Sequence, residues 1–132
     1  MNALEIAQKY YAAFNRQDWQ GMLELVHPDI QHEPNEGEAR HGKAAFTEFL
    51  KMMDTSYEEV LSEMVFFTEP SGKRISVEFV VNGIYKKGDD GFPEARGQRY
   101  VLPAAAFLEV TDGKISRVTT YYNLTNWISL VS

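Results

Sequence analysis

The chain has 132 residues, of which 44% are hydrophobic and 24% charged, with no cysteine and a formal charge of -6. A domain of this size buries a core without staples, and the missing thiols exclude a disulfide framework, a thiolate zinc site and a cysteine nucleophile. The negative balance argues against a binder of phosphate backbones, and no stretch reaches the about 18 consecutive apolar residues of a membrane span.

Residues 3–15 carry Leu4, Ala7, Tyr11 and Phe14 at helical spacing, and Asn2 with Glu5 forms a capping-box start. Glu5 and Lys9 break any basic-then-apolar leader layout, so the expected location is the cytoplasm. Asp18 caps a second short helix bearing Trp19, Met22, Leu23 and Val26 on one face, and Pro28 stops it. A short strand is expected over 30–34. Gly42 opens a third helix whose Phe46, Phe49, Leu50 and Met53 share a stripe.

The period then changes from 3.6 to 2. Residues 58–69 read as a strand, Pro70-Ser71-Gly72-Lys73 as a turn, and 74–85 as a second strand. Asn82-Gly83 is a hairpin signal that shortens this strand to Val81. Residues 86–98 form a polar, Gly-rich loop. Strands over 99–110 and 115–123 flank the turn Thr111-Asp112-Gly113-Lys114, and LTNWISLVS ends the chain as a short amphipathic segment. Three helices followed by an antiparallel meander predict one α+β domain over 1–132. Helices on one side of a curved sheet leave a concave space, where small molecules usually bind. Seventeen aromatic residues (8 Phe, 7 Tyr and 2 Trp) are available to line a core, a pocket or an interface.

Three segments carry a resemblance: AQKYYAAFNRQD at 7–18, RHGKAAFTEFL at 40–50 and PAAAFLEVTDGKISRVTTYYNLTNWI at 103–128. Together they resemble the nuclear transport factor 2-like superfamily, in its ketosteroid isomerase-related and SnoaL-like branch. The resemblance implies a cone-shaped α+β barrel, with three N-terminal helices packed on a strongly curved, mostly antiparallel sheet. It also implies a deep apolar pocket and a homodimer formed through the outer face of the sheet. The same cone hosts isomerases, cyclases, ligand binders and a protein-binding transport factor, so function rests on the site.

Isomerases of this family pair a carboxylate base with a tyrosine and a protonated aspartic acid that hold an oxyanion; the handling of that acid is an established case of pKa tuning. By resemblance, Tyr10 stands where the donor tyrosine is, and Glu33 before Pro34 stands near the base. His32 is a rival base, because an imidazole titrates near neutrality. Adjacent strand residues face opposite ways, so His32 and Glu33 do not both enter one pocket without a bulge. Asn35 completes that neighbourhood. The donor aspartic acid falls on Ala105, which cannot donate, and losing such a donor costs about 3–4 kcal/mol of transition-state stabilisation.

Val77, Phe79, Val81 and Phe107 are expected to line the pocket, together with Val118, Thr120 and Tyr122 from the last strand, with Asn123 and Trp127 near its mouth. Glu78 is assigned to the opposite face, with Arg99 or Arg117 as a cross-strand partner. His27, His32 and His41 fit no metal-binding spacing, and the Gly-rich loop lacks a phosphate-binding signature, so neither a metal nor another cofactor is expected. The expected partner is a small hydrophobic molecule, not nucleic acid or membrane. The function that follows is proton transfer on a hydrophobic carbonyl compound. The alternatives are a binder without catalysis and a protein-interaction module.

Overall fold

Asn2 accepts from the Glu5 backbone N–H, and the Glu5 carboxylate reaches back to the Asn2 N–H. This reciprocal cap starts helix α1, Ala3–Asn15. The computed structural model describes all 132 residues. Asp18 caps α2, Trp19–Glu24, by accepting from the Gly21 N–H at 2.9 Å. Gly42, at φ 89°, precedes α3, Lys43–Ser56. Six strands follow the chain as β1 (Val26–Glu33), β2 (Arg40–His41), β3 (Tyr57–Thr68), β4 (Arg74–Tyr85), β5 (Gln98–Thr111) and β6 (Lys114–Tyr122), and α4 spans Leu124–Val131.

The strands form one curved sheet in the order β2-β1-β6-β5-β4-β3, which does not close on itself. Every pair is antiparallel except β1 with β6. Helix α1 lies across the concave face against β3 to β6, and α3 packs on β1. Ile6, Ala7, Tyr10 and Tyr11 of α1 meet Val77, Phe79, Ala106 and Leu108 of the sheet in one buried core. Burial of that apolar surface is the main force holding helix to sheet. None of the helices is long and apolar enough to cross a membrane.

Three local expectations are corrected. The first strand begins at Val26, not residue 30, so Val26 belongs to the sheet and not to α2. Pro28 is tolerated because the β1–β6 register is interrupted between Val26 and Gln31, where no ladder bond requires its N–H. The C-terminal tail is a full helix whose Asn123 side chain accepts from the Asn126 N–H at 3.0 Å.

The third correction concerns Asn82-Gly83, which makes no turn. Strand β4 runs through to Tyr85, with Gly83 paired to Glu59 on β3 and to Tyr100 on β5. The glycine serves packing. A Cβ at this position would lie 2.2 Å from Cζ of Tyr100, whose ring covers the bare backbone.

Candidate functional site

The concave side of the sheet and the helices enclose a cavity of about 840 Å³. Strand parity decides which side chains reach it. On β4 and β6 the residues Phe79, Val81, Val118, Thr120 and Tyr122 line the wall. Val77 shares that face, yet it is fully buried in the core beneath α1 and does not reach the cavity. Phe107 is misplaced by the sequence reading. It lies on the outer face, 43% exposed, with its ring edge-on to Tyr121 at 5.8 Å.

The same parity moves the missing donor. Ala105 pairs with Glu78 and Tyr121 on the outer face, and it is Ala104 that touches the cavity. The conclusion about chemistry stands, because Ala104 has no donor either. Glu78 also points outward as expected, but it pairs with neither expected partner: Arg117 bridges Glu33 at 3.1 Å and Glu109 at 3.6 Å, and Arg99 stands opposite Ile84, away from Glu78.

That bridge and the strand parity put His32 and Glu33 on opposite faces. The Glu33 carboxylate turns away from the cavity and accepts from the Thr119 hydroxyl at 2.8 Å and Arg117 Nε at 3.1 Å. The Thr119 and Arg117 hydrogen bonds hold its carboxyl below the usual range. A carboxylate so engaged on the outer face clamps β1 to β6 and does not line the cavity. His32 points inward. It is 3% exposed and rests against the rings of Phe49 at 4.3 Å and Phe46 at 5.0 Å. Desolvation, aided by the nearby Arg40 charge, pushes its imidazole down to about 4. The ring is therefore neutral at pH 7. Its Nδ1 is sealed in the protein without a hydrogen-bond partner.

Tyr10 projects from α1 into the cavity wall beside Tyr11, ring edge to ring face at 5.0 Å. Burial holds its hydroxyl protonated well beyond the ordinary tyrosine range, so it acts as a donor and not as a base. Asn35 lies at the wall as well, but its Oδ1 accepts from the Tyr122 N–H at 3.1 Å and pins the end of β6. Asn123 faces a separate groove on the outer side, and its oxygen is committed to capping α4, so it is not a cavity ligand. Trp127 does reach the cavity. It closes one end in an aromatic cluster with Tyr85 at 4.9 Å, Tyr100 at 6.0 Å, Phe92 at 6.1 Å and Tyr57 at 6.2 Å.

The sequence reading missed a buried carboxylate of this cavity. Glu59 of β3 points inward and accepts a hydrogen bond from the Tyr100 hydroxyl. Burial raises its carboxyl above the usual value, and the Tyr100 bond opposes that rise. Tyr122, nearby on β6, is pushed up to about 12 by burial and by the Glu36 and Glu59 charges. The available signal was the period-2 phase of β3, which puts Tyr57, Glu59 and Leu61 on one face.

Among the buried groups of the cavity wall, two polar stations set against aromatic rings stand out. One is a neutral imidazole between phenylalanine rings. The other is a carboxylate held by a tyrosine beside a tryptophan.

A SnoaL-like domain model matches residues 7–118. A protein from Xanthomonas campestris pv. campestris, described as a candidate polyketide cyclase, is 48% identical, with a TM-score of 0.94 over 98% of this chain and 96% of that one. A second protein so described, from Pseudomonas putida KT2440, is 45% identical, with a TM-score of 0.97 over 100% and 99% of the two chains. A nuclear transport factor 2-like protein from Burkholderia xenovorans LB400 shares the fold at 19% identity and a TM-score of 0.77 over 98% and 95%. No curated protein matches the chain. The match over most of the chain, with the cone-like sheet and its covering helices, makes this protein a member of the SnoaL-like domain family, built on the fold of nuclear transport factor 2-like and ketosteroid isomerase-like proteins.

Proposed function

We propose that the cavity binds an apolar, ring-bearing carbonyl compound and moves a proton on the carbon next to the carbonyl, with His32 as the base. The observation that carries this reading is the His32 imidazole, neutral at pH 7 and lining the cavity; its Nδ1 is sealed in the protein, so Nε2 is the nitrogen left to face a substrate. A neutral imidazole has one nitrogen free to accept a proton, and with the proton on the sealed Nδ1 that nitrogen is Nε2. Tyr10 is the donor for the oxygen that gains charge.

A base held at about 4 is weak, which selects the substrate. Proton-transfer rates follow the match between acid and base, so His32 suits an acidified C–H, flanked by a carbonyl and by a second carbonyl or an aromatic ring. Carbon acids of that kind are polyketide-like, in keeping with the cyclase descriptions of the two similar bacterial proteins. Ala104 favours a second reading, a binder without catalysis, because it leaves the site one oxyanion donor short. Deuterium uptake into 2-tetralone separates the two: a catalyst accelerates it, whereas a binder only raises the melting temperature.

We also propose a homodimer through the outer face of the sheet. Val60, Val65, Phe67, Val101, Phe107 and Tyr121 are all exposed there, each between 43% and 62%. A monomer rarely leaves such a run of apolar side chains in water. Sedimentation is expected to give twice the 15.1 kDa chain mass, falling to one chain in a Val101→Glu, Phe107→Glu variant.

A further inference from the structure

Glu59, Gly83 and Tyr100 form one row across three neighbouring strands. Two strand spacings, about 10 Å, separate the outer members of the row. A side chain on the middle strand would stand between them. Gly83 has none, and the Tyr100 ring lies flat over it: an added Cβ would be 2.4 Å from Cε2 and 2.5 Å from the hydroxyl oxygen. Only across a glycine does the tyrosine reach the carboxylate two strands away.

Tyr100 is 3% exposed, so the bond forms away from bulk water. It occupies Glu59 Oε2, and Tyr100 is the only hydrogen-bond partner of this carboxylate. Glu59 Oε1 is left to accept, in a cavity lined also by Phe92, Leu102 and Trp127. The proposed base does not use this end. An acceptor built across three strands, and left with one open oxygen in a chamber lined also by Phe92, Leu102 and Trp127, is suited to recognising a donor.

We propose that Glu59, held by Tyr100 across Gly83, is a specificity-determining residue that accepts a hydrogen bond from a hydroxyl of the ligand. The compound taken by the cavity is then a hydroxyaryl or enolic carbonyl compound, with its hydroxyl at the Glu59 end. This rests on the reading that the cavity holds an apolar ring compound. It does not rest on His32 being a base.

The test compares 4-hydroxybiphenyl with 4-methoxybiphenyl, which differ by one donor, in calorimetric titrations of the whole protein at pH 8. Hydrogen bonds to charged groups support a preference of about tenfold or more for the hydroxyl compound. Glu59→Gln is expected to reduce that preference to about twofold, and Gly83→Ala to weaken it by displacing Tyr100. Tyr100→Phe, which keeps the ring over Gly83, is expected to keep a preference at pH 8 but lose it at a higher pH than the parent as acid is added. This pH dependence is a readout that a merely structural tyrosine would not move. Equal affinity for the two probes, no binding of either, or an unchanged preference in Glu59→Gln overturns the proposal. His32→Leu should leave the preference intact, so failure of the base assignment is seen separately, as loss or retention of deuterium uptake.

Discussion

Replacing Trp127 with alanine is expected to cost about 3–5 kcal/mol of folding stability, read as a lowered urea midpoint with an unchanged m-value. Trp127 is 5% exposed and meets the edges or faces of four rings. These rings come from separate parts of the chain: Tyr57 from β3, Tyr85 from β4, Phe92 from the polar loop and Tyr100 from β5. The indole is therefore the piece that fixes α4 and the loop to the end of the sheet. Truncation removes its buried area and leaves a void that the sheet cannot collapse to fill, because Gly83 and Tyr100 already fix the spacing there. Against a typical total stability of about 5–15 kcal/mol, the loss is large. Trp127→Phe retains much of the ring contact and is expected to lose less than half as much.

The second large effect is a dependence of stability on pH that originates at His32. Its imidazole titrates at about 4 in the folded protein against 6.5 when free. Above pH 6.5 neither state binds the proton and the residue contributes no pH dependence. As pH falls from 6.5 towards 4 the unfolded chain takes up a proton that the native chain refuses, so stability drops. The gap of about 2.5 pH units corresponds to about 3 kcal/mol for a ring that is 3% exposed and so little screened by water. Glu33, whose carboxyl is held low, adds to the loss only below the ordinary carboxylate range. Glu59, whose carboxyl is held high, works in the opposite direction and favours the native state as it protonates. The His32 part is isolated by comparison with His32→Leu. Denaturation curves at pH 7 and pH 4.5 are expected to show a markedly smaller decline in the variant.

Much of this architecture is local chemistry, and that part was legible in the sequence. Asn2 with Glu5, Asp18, Gly42 and the Asp112-Gly113 turn each mark an element boundary through a hydrogen bond or a backbone angle. The strand phase of Val118, Thr120 and Tyr122 was legible too, because Arg117 and Tyr121 on either side are polar or half-polar. Phase failed on β5. Ala105 and Phe107 face outward, yet the run from Val101 to Leu108 is apolar at both parities, since the outer face is itself apolar. Alternation carries no information where both faces are greasy. Gly83 was misread for a different reason. Asn-Gly is the strongest turn dipeptide, and only the three-dimensional placement of Tyr100 shows that the glycine makes room for a ring. Glu59 went unseen with it, because its partner lies 41 residues away on a strand that is not its neighbour.

The proposed function requires His32 to move a proton inside the cavity. Deuterium uptake at the benzylic position of 2-tetralone, followed by proton NMR in D₂O with catalytic amounts of protein, tests it most directly. Acceleration over buffer is expected to be level above pH 5, to decline as the imidazole protonates near 4, and to fall by about 10²–10⁴ in His32→Leu. Uptake no faster than in buffer, or uptake unchanged in His32→Leu and abolished in Glu59→Gln, would contradict it.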